Sequence, residues 1–572
     1  MQNKLRILLF FGLVIVVNLI FSFIEYSFDL TLDKKHSISN ETEQILSSLD
    51  DIIFVKVYLD GDFPSEFKHL QSEVKNLLSS FKSIAGSNLN FEFIDPNNLV
   101  DEKEKMNLFK QLVKDGLSPT DIEIRTSSSN SNQIIFPSAL VYYKDKQRAV
   151  NFLKNSITKK PAENINESVE SLEFEFITAI YQMLKTHTPK IAFLEGNGEL
   201  NKDQVYDLSQ SVLQDNNSLS YYYQVDHFNI KEFEIDSSTM DADISRQIEK
   251  MLSYKVIIIA KPTSPFNNLE KFLIDQYIMH GGKILWLIDA VKGSMDSLQT
   301  QNSFIALKND INLDDQLFKY GVRINANLIE DLRSTKIPIV TGYSNNIPQQ
   351  SYFYWPYFPL LLSDNNHSIS KGLDALKCDF VSSIDTIKNK IKKTILLTSS
   401  KQSRINPAPA KVSLGILQDP PPIESYNKSS LPVAVLLKGE FESVFKNRIL
   451  PKKQSLKFKE KSLETQMIIV SDGDIAKNSV SASGNILPLG YDRFNSYTYA
   501  GNKKFIMNAV HYLCDDIGIT KLKSKEIKLR LLDKEKIKNN RSLIMLVNII
   551  LPLLLLLFCT VIFIKFKNKR YV

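Results

Sequence analysis

Cysteine is scarce in this sequence, and its placement excludes several kinds of protein. The 572 residues contain three cysteines, Cys378, Cys514 and Cys559, and the last of them lies inside a long apolar run. At most one intrachain disulfide is available to the soluble part, which excludes a disulfide scaffold and a four-cysteine zinc site. Because no cysteine precedes Cys378, thiol exchange is excluded for everything before it.

Familiar catalytic and nucleotide-binding motifs are also missing. The sequence contains no GxxxxGK[ST] phosphate loop, no HExxH, no GxSxG and no close pair among its seven histidines. ATP hydrolysis would therefore have to take place on another protein. We expect a protein that is not an enzyme, needs no cofactor and holds no metal.

Charge is absent from two long stretches, one near each end. Leu543–Ile564 has no charged residue, and its only polar interruptions are Asn548 and Thr560. At about 1.5 Å per residue, a helix of this length would cross a bilayer core of roughly 30 Å. Ile7–Ile24 is a second apolar run, and no small-residue cleavage site follows it. We predict a transmembrane helix at 543–564 and an uncleaved transmembrane signal anchor, rather than a cleaved signal, at 7–24.

Basic residues outside the two runs predict the orientation. Lys4 and Arg6 precede the first run, and Lys565, Lys567, Lys569 and Arg570 follow the second. The positive-inside rule then predicts a two-pass protein of the inner membrane with a large periplasmic domain. The basic juxtamembrane segment 521–541 has nine Lys or Arg against three acids near the outer end of the second span. Long translocated domains escape the charge rule, and this segment is either a solvated helix or a contact with lipid headgroups.

The soluble residues show two α/β patterns, one after the other. In 50–155 the order βαβαβββ is similar to that of thioredoxin, with a hairpin turning at Lys144–Lys146 and without the redox cysteines. In 187–300, continuous apolar strands alternate with helices, which predicts a doubly wound parallel sheet whose ligand crevice lies at the strand carboxyl ends. The strands predicted there are Lys190–Gly196, Tyr221–Phe228, Lys255–Pro262 and Lys283–Ala290, and the helices are Asp203–Leu213 and Leu269–Met279.

The remaining soluble residues, 301–520, are predicted to be a further α/β region that completes or follows the central domain. They include the aromatic cluster Tyr352–Phe358, which is either an exposed patch for a partner or part of a buried core.

Two turns at strand ends are candidate ligand sites. Gly196-Asn197-Gly198-Glu199 follows the strand KIAFLE and could cradle a phosphate, although it matches no established phosphate motif. Asp472 and Asp474 follow the apolar strand MIIV, in an arrangement similar to a metal-carboxylate turn. An Asp-Gly pair at a strand end is also a common plain turn.

Several stretches together resemble a known family. They include FDLTLDKKHSIS, VKVYLDGDFPSEFKHLQ, FLEGNGEL, YWPYFPLL and IIVSDGDIAKN, in that order along nearly the whole chain. With an apolar run at each end, the chain resembles the GldG family, the auxiliary membrane subunit of the gliding-motility-associated ABC transporter of Bacteroidetes. The resemblance implies an ABC permease subunit and an ABC ATPase subunit as partners, beside the lipid bilayer. We expect no nucleic-acid partner.

The resemblance also implies a fold and a function. The central domain of the family is similar to the amidotransferase-like fold that an intraflagellar-transport protein shares. An amidotransferase needs a nucleophilic cysteine after a buried strand, and the strand-end turns of this chain have none. We therefore expect a non-enzymatic, extracytoplasmic subunit of an ABC transporter that docks on permease and ATPase. The alternative is a membrane-tethered receptor for a solute or glycan, with its site beside Gly196–Glu199 and Asp472.

Overall fold

The chain divides into two compact units. The computed structural model describes residues 37–99, 101–125, 130–154, 161–185, 187–213, 217–234, 243–363, 367–450, 457–524 and 540–569. The first unit contains the described residues up to 524, and the second contains the helix near the C-terminus. The predicted signal anchor at 7–24 lies outside the described residues.

A four-stranded sheet is the centre of the N-terminal part of the first unit. Its strand order is β2-β1-β5-β6; β1 and β2 are parallel, β5 and β6 antiparallel to their neighbours, and β3 pairs with β4. The elements are α1 (Asn40–Ser47), β1 (Ile53–Val57), α2 (Ser65–Ala85), β2 (Leu89–Phe93), α3 (Glu102–Lys114), β3 (Thr120–Arg125), β4 (Asn130–Ile135), β5 (Ser138–Tyr143), β6 (Lys146–Asn151) and α4 (Pro161–Leu184).

The strand count in this part differs from the predicted βαβαβββ order. Four strands follow α3 instead of three, because the run that begins at Ile134 is broken between β4 and β5. Pro137 lies at the break and has no N–H to donate to a strand ladder. The antiparallel pair β5 and β6 turns at Lys144 and Asp145, within the predicted hairpin turn. The thioredoxin-like assignment stays a prediction.

The central part is built on a seven-stranded sheet, with the strands in the order β19 (Lys392–Thr398), β22 (Pro432–Glu442), β23 (Lys461–Val470), β10 (Lys283–Leu287), β9 (Val256–Ala260), β7 (Lys190–Glu195) and β8 (Gln224–Asn229). Neighbours from β23 to β8 run parallel, and β22 is antiparallel to both β23 and β19. The strands and helices up to residue 300 are β7 (Lys190–Glu195), α5 (Tyr206–Ser209), α6 (Leu219–Tyr222), β8 (Gln224–Asn229), α7 (Ile244–Leu252), β9 (Val256–Ala260), α8 (Asn268–Met279), β10 (Lys283–Leu287), β11 (Val291–Lys292) and α9 (Met295–Thr300).

The residues after 300 complete this sheet and add several small ones. Their elements are β12 (Ser303–Lys308), α10 (Asp314–Tyr320), β13 (Val322–Ile324), β14 (Asn327–Asp331), β15 (Ser334–Ser344), β16 (Ile347–Leu361), β17 (Leu376–Lys377), β18 (Ile384–Thr386), β19 (Lys392–Thr398), β20 (Ser403–Pro407), β21 (Ala410–Ser413), β22 (Pro432–Glu442), β23 (Lys461–Val470), β24 (Tyr491–Asp492), β25 (Tyr497–Thr498) and α11 (Gly501–Cys514). The predicted further region therefore supplies three strands of the central sheet, β19, β22 and β23.

The central sheet is buried on both faces, which explains its continuous apolar strands. Along β9, Ile258 packs into one core with α11, and Ile257 and Ile259 pack into the opposite core with α7 and α8. Side chains alternate between the faces of a strand, so a strand covered on both sides must be apolar at every position.

One predicted helix in this part is wrong. Residues 203–213 contain only the single turn of α5. Ser211 has a left-handed backbone (φ 66°), and the carboxylate of Asp207 accepts hydrogen bonds from the backbone N–H of Val212 and of Leu489. These tertiary bonds fold the segment back onto the core instead of continuing the helix.

The aromatic cluster Tyr352–Phe358 lies on β16 and is divided between core and surface. Trp355, Tyr357 and Phe358 are buried, whereas Tyr352 and Tyr354 are exposed by 52% and 60%. Part of the cluster is therefore core and part is surface, and binding of a partner to the exposed part stays a prediction. The boundary falls where β16 leaves the core as one arm of a long hairpin with β15.

The second unit contains helix α12 (Arg541–Lys569), which includes the predicted span 543–564. Its apolar side chains are exposed, among them Leu551, Leu556 and Phe558. The side chains of α12 are described without interruption only over 545–558. Within the described part of the chain, no helix meets the combined length and apolarity needed to cross a membrane.

Candidate functional site

Four strands of the central sheet end side by side at one edge, and every predicted site residue lies there. Gly196–Glu199 follows β7, and Asp472 and Asp474 follow β23. The structure adds Lys261 after β9 and Asp289 after β10, which lie between the two predicted groups in the strand order. In parallel sheets this is the edge at which ligands bind.

Asp472 and Asp474 meet Asp289 and Lys261 in one largely buried cluster of charges, called here the Lys261–Asp cluster. Lys261 Nζ lies 3.2 Å from Asp289 Oδ2 and forms a second ion pair with Asp474. Asp472 is fully buried, and its Oδ1 accepts a hydrogen bond of 2.8 Å from the backbone N–H of Asp474. The carboxylate oxygens of the three aspartates lie within 4.8 Å of one another. Three carboxylates at this spacing are typical of a Mg²⁺ or Ca²⁺ site, but here the positive charge comes from the lysine.

The pKa values in the cluster follow from burial and from its charges. Burial and the neighbouring Asp474 raise the pKa of Asp289 to about 6, although Lys261 acts against them. Burial and the charge of Asp289 raise the pKa of Asp472 well above its usual range. Burial alone would lower the pKa of Lys261, but the carboxylates of Asp289 and Asp474 outweigh it and raise the pKa. The ammonium therefore stays charged and holds the cluster together.

Unusual local backbone brings the lysine to the aspartates. Lys261 has φ of 54°, a left-handed conformation that costs a non-glycine residue roughly 1–2 kcal/mol. Gly473 makes the approach possible, because a Cβ at that position would lie 2.7 Å from Lys261 Cβ. The backbone N–H of Gly473 donates to Asp289 Oδ1 and so links the ends of β10 and β23.

The segment Lys377–Asp379 covers the Lys261–Asp cluster next to Asp472, at the end of β23. The backbone N–H of Asp379 donates to Asp472 Oδ2 at 3.1 Å, and Lys377 Nζ lies 2.6 Å from the Asp379 carboxylate. Burial, followed by the charge of Asp472, raises the pKa of the Cys378 thiol well above its usual value. The thiol is protonated at neutral pH and is not an activated nucleophile. Both Cys378 and Cys514 are free and buried, so they form no disulfide.

The Gly196–Glu199 turn forms a separate group at the same edge. Its first strand, β7, is three strand spacings from β23, or roughly 14 Å. Asn197 is fully buried, and its backbone carbonyl oxygen accepts hydrogen bonds from the backbone N–H groups of Thr263 and Ser264. Gly198 has φ of 74°, and a Cβ there would lie 2.1 Å from Thr263 Oγ1, so only glycine fits.

Two oxygen atoms of this turn are buried without a partner among the described residues. Glu199 Oε2 accepts a hydrogen bond of 2.6 Å from the backbone N–H of Asn197, but Glu199 Oε1 and Asn197 Oδ1 accept none. Burial raises the pKa of Glu199. Buried acceptors are normally satisfied by protein or water, so these two atoms would suit a water or a ligand that donates hydrogen bonds.

Sequence reasoning missed Lys261 and Asp289. The signal for Asp289 was present, because it follows a buried strand as Asp472 does, at the same sheet edge. Lys261 gave no signal: a single lysine after an apolar strand is normally solvated, and only the left-handed backbone turns it inward.

An open cleft of about 1010 Å³ lies elsewhere on the central part. Five basic residues line it, but four of them pair with acids: Lys308 with Asp314, Lys319 with Glu442, Arg323 with Asp385 and Arg448 with Asp315. The fifth, Lys446, lies 3.6 Å from Glu460. The cleft therefore has no excess of charge that would select an anion.

The geometry defines a mixed α/β protein with a mostly parallel central sheet, in which aspartates at the strand ends pair with an internal lysine. The family described as "ABC-type uncharacterized transport system" matches residues 188–509, more than half of the chain. The chain belongs to this family of ABC transport system auxiliary proteins. A domain family of unknown function matches residues 32–142.

Similarity to individual proteins is low. An uncharacterized protein of Borreliella burgdorferi is 22% identical over 563 residues, which cover 95% of this chain and 94% of the relative. Among solved structures, the mmIFT52 N-terminal domain has a TM-score of 0.30 at 13% identity and covers 57% of this chain and 96% of its own. A ThuA-like protein of Bacteroides uniformis has a TM-score of 0.25 at 13% identity, with coverages of 57% and 93%. These scores support no conclusion on fold or function, and the amidotransferase-like assignment stays a prediction.

Proposed function

We propose that this protein is a non-enzymatic, membrane-anchored subunit of an ABC transporter that docks on a permease and an ATPase subunit. Membership of the family supports a role in an ABC transport system. The motility part of the proposal is supported by the resemblance of the quoted stretches to the GldG family. The soluble domains would act on the periplasmic side, between two membrane anchors.

The observation that carries the non-enzymatic part is that the strand-end aspartates have partners within the protein itself. A catalytic aspartate must be able to exchange protons or contact a substrate. Here the carboxylates of Asp289 and Asp474 face the Lys261 ammonium, and Asp472 accepts two backbone hydrogen bonds. Perturbed pKa values also occur in structural ion-pair networks. A network of this kind would hold the strand ends together, and ATP hydrolysis would take place on the ATPase subunit.

The docking part is tested by purification from native membranes. Solubilised in mild detergent and captured through a tag, the full chain is expected to bring along an ABC permease and its ATPase, identified by mass spectrometry. An unrelated two-span membrane protein with the same tag serves as the control. Recovery of the chain without an ABC permease would refute the subunit assignment.

The topology is tested with a single exposed cysteine. Asn427 is exposed, whereas the native Cys378 and Cys514 are buried, so Asn427→Cys in a Cys559→Ser background offers one accessible site in the described soluble part. We expect a membrane-impermeant maleimide to label this variant in intact spheroplasts. The matched variant Lys567→Cys should be labelled only after permeabilisation. Labelling in the reverse order would place the soluble domains in the cytoplasm.

Binding of a solute at the same edge is the second candidate function. The unpartnered oxygens of Asn197 and Glu199 favour it, and the Lys261 side chain, which fills the neighbouring strand ends, opposes it. A solute or glycan that raised the melting temperature of the wild type but not of Glu199→Gln would establish this function. If a broad screen found no such ligand, docking would remain the only candidate function.

A further inference from the structure

The central sheet has two edge strands, β19 and β8, and the first of them is protected against the addition of a further strand. The register of β19 with β22 shifts twice, on either side of Leu397. The strand begins with two lysines, and at its other end Thr398 forms a bridge with Leu362. Bulges, lysines and covering segments are the usual means by which proteins close a sheet edge.

The other edge strand, β8, carries none of these features. It pairs with β7 in an unbroken parallel register over all six of its residues, from Gln224 to Asn229. Its sequence, QVDHFN, contains no proline, lysine or arginine. β8 therefore lacks the prolines, bulges and lysines that keep another strand from joining a sheet.

The outer side of β8 has backbone groups without a partner. The backbone N–H of Gln224 donates to β7 at the start of the strand, and that of Ile230 does so just after its end. Because successive residues of a strand alternate, Val225 and His227 point their N–H and C=O groups away from β7. In the part of the chain that the structure describes, no group bonds to these two donors and two acceptors. Donors and acceptors at this spacing are complementary to an extended peptide.

The charge of β8 indicates what kind of peptide fits. Asp226 is half-buried and shares one face of the strand with Phe228, whose ring lies 5.8 Å from that of Tyr254. Its carboxylate interacts with the Gln224 amide, at 3.4 Å, and with the Tyr254 hydroxyl. No lysine or arginine among the described residues pairs with it. Opposite charges at facing positions of two strands stabilise the pair and like charges destabilise it, so a basic residue is favoured opposite Asp226.

The opposite face of β8 favours an apolar neighbour. Val225 is half-buried and packs against the core that contains α11. An added strand alternates its side chains in the same way as β8, so a basic residue beside Asp226 places the next side chain beside Val225. The complementary segment therefore alternates basic and apolar residues.

A second copy of β8 does not meet this requirement. In a two-fold antiparallel pair, residues with outward backbone groups face each other, and so do residues with inward groups. Asp226 belongs to the inward set, so it would face Gln224, Asp226 or Phe228 of the copy, and none of these is basic. A bilayer core would leave the open backbone groups unsatisfied. An extended basic segment of a different protein matches both the backbone and the charge.

We propose that β8 is a docking edge, at which an extended segment of a partner protein adds as an eighth strand of the central sheet with a lysine or arginine opposite Asp226. Main-chain hydrogen bonds to Val225 and His227 give the affinity in this kind of recognition, and the side chains at alternate positions give the specificity. This role goes beyond the docking on permease and ATPase and does not depend on it.

Peptide binding to the full chain in mild detergent tests the charge and the backbone separately. The probe is a fluorescent six-residue peptide, Lys-Val-Lys-Val-Lys-Val, and its matched control is Glu-Val-Glu-Val-Glu-Val. By fluorescence anisotropy, the lysine peptide should bind at least about tenfold more tightly than the glutamate peptide, and Asp226→Lys should reverse the preference. Val225→Pro removes one outward N–H and should weaken binding at least about tenfold. Val225→Ala keeps this N–H and should bind like the wild type.

Thermal melting of each variant shows that it is folded, which is expected because an edge strand tolerates proline where its N–H points to solvent. Equal affinity for the two peptides, or undiminished binding to a folded Val225→Pro variant, would overturn the proposal. Absence of any binding to the wild type would overturn it as well. None of these results bears on the copurification of permease and ATPase.

Photocrosslinking in native membranes gives a second, independent measurement. A benzophenone amino acid in place of the exposed Gln224 should form an adduct with a segment that contains a lysine or arginine, identified by mass spectrometry. Changing that basic residue to glutamate should abolish the adduct, and Asp226→Lys should restore it. An adduct with a second copy of this chain, or one that is insensitive to the charge reversal, would contradict the proposal.

Discussion

Replacing Lys261 by methionine is expected to destabilise the central sheet by about 3–5 kcal/mol at pH 8, because it leaves the largely buried carboxylate of Asp289 without its cation and Asp474 with only the exposed Lys477. The loss should be much smaller at pH 5. Methionine keeps the length of the side chain and the left-handed backbone remains, so only the charge is removed. Urea unfolding followed by the fluorescence of Trp286, which is fully buried in β10, measures the difference.

The sign of the pH effect follows from the aspartates. The pKa of Asp289 is already raised to about 6 in the folded protein, and loss of the neighbouring ammonium raises it further. A carboxyl with a raised folded pKa takes up a proton on folding, so it favours the folded state at low pH and this contribution is lost as pH rises through the folded pKa. The variant should therefore regain stability as pH falls from about 8 to about 5.

A neighbouring lysine provides the control for this experiment. Lys477 Nζ lies 4.0 Å from the same Asp474, but its side chain is 41% exposed. Lys477→Met should change the free energy of unfolding by less than about 1 kcal/mol, as for other surface pairs. Two results would refute the claim that Lys261 balances the charge of these aspartates. One is an equal loss of stability in both variants, and the other is a loss in Lys261→Met that does not depend on pH.

Replacing Arg404 by methionine is expected to cost about 3 kcal/mol, because it leaves the carboxylate of Glu330 buried without its cation. Glu330 is fully buried and accepts hydrogen bonds from Arg404 Nε at 2.6 Å and Nη2 at 3.0 Å. It also accepts from the hydroxyl of Tyr357 at 2.8 Å and the amide of Asn406 at 3.2 Å. Tyr357 lies on β16, Glu330 on β14, and Arg404 and Asn406 on β20. These bonds therefore hold the base of the β15–β16 hairpin against β14 and β20.

A second substitution separates the charge from the packing. Arg404→Met/Glu330→Gln keeps an oxygen for Tyr357 and Asn406 and removes the unpaired charge. The double variant should recover most of the lost stability, because removing both partners of a buried pair costs less than removing one. Fluorescence of the buried Trp355, in a Trp286→Phe background, reports on this part of the chain. A double variant no more stable than Arg404→Met would assign the loss to packing alone.

The central strands could be predicted because their signal is local. The runs Val256–Ala260 and Lys283–Leu287 are apolar at nearly every position, and the structure pairs them in parallel, as the alternation with helices predicts. The helix at 203–213 could not be excluded from the sequence, since the bonds that break it come from Leu489 and Lys503, nearly 300 residues away.

The candidate site could be predicted only in part, for a similar reason. Asp472 and Asp474 were found because acidic residues after a buried strand lie at a sheet edge where ligands bind. What they contact was not in the local pattern, because Asp289 and Lys261 come from other strands. The aromatic cluster was equally ambiguous: Trp355 and Tyr352 are three residues apart, and one is in the core while the other is exposed.

The sequence by itself determined that the GxxxxGK[ST], HExxH and GxSxG motifs are absent, that buried strands alternate with helices, and that two long runs carry no charge, since each of these depends on residue types at fixed spacing. Only the tertiary structure decided that Asp289 and Asp474 pair with the internal Lys261, and that β16 runs from the core at Trp355 to the surface at Tyr352. The partner of a charged side chain, and the core that covers one side of a strand, come from residues far away in the sequence. The local spacing of residues therefore does not determine these contacts.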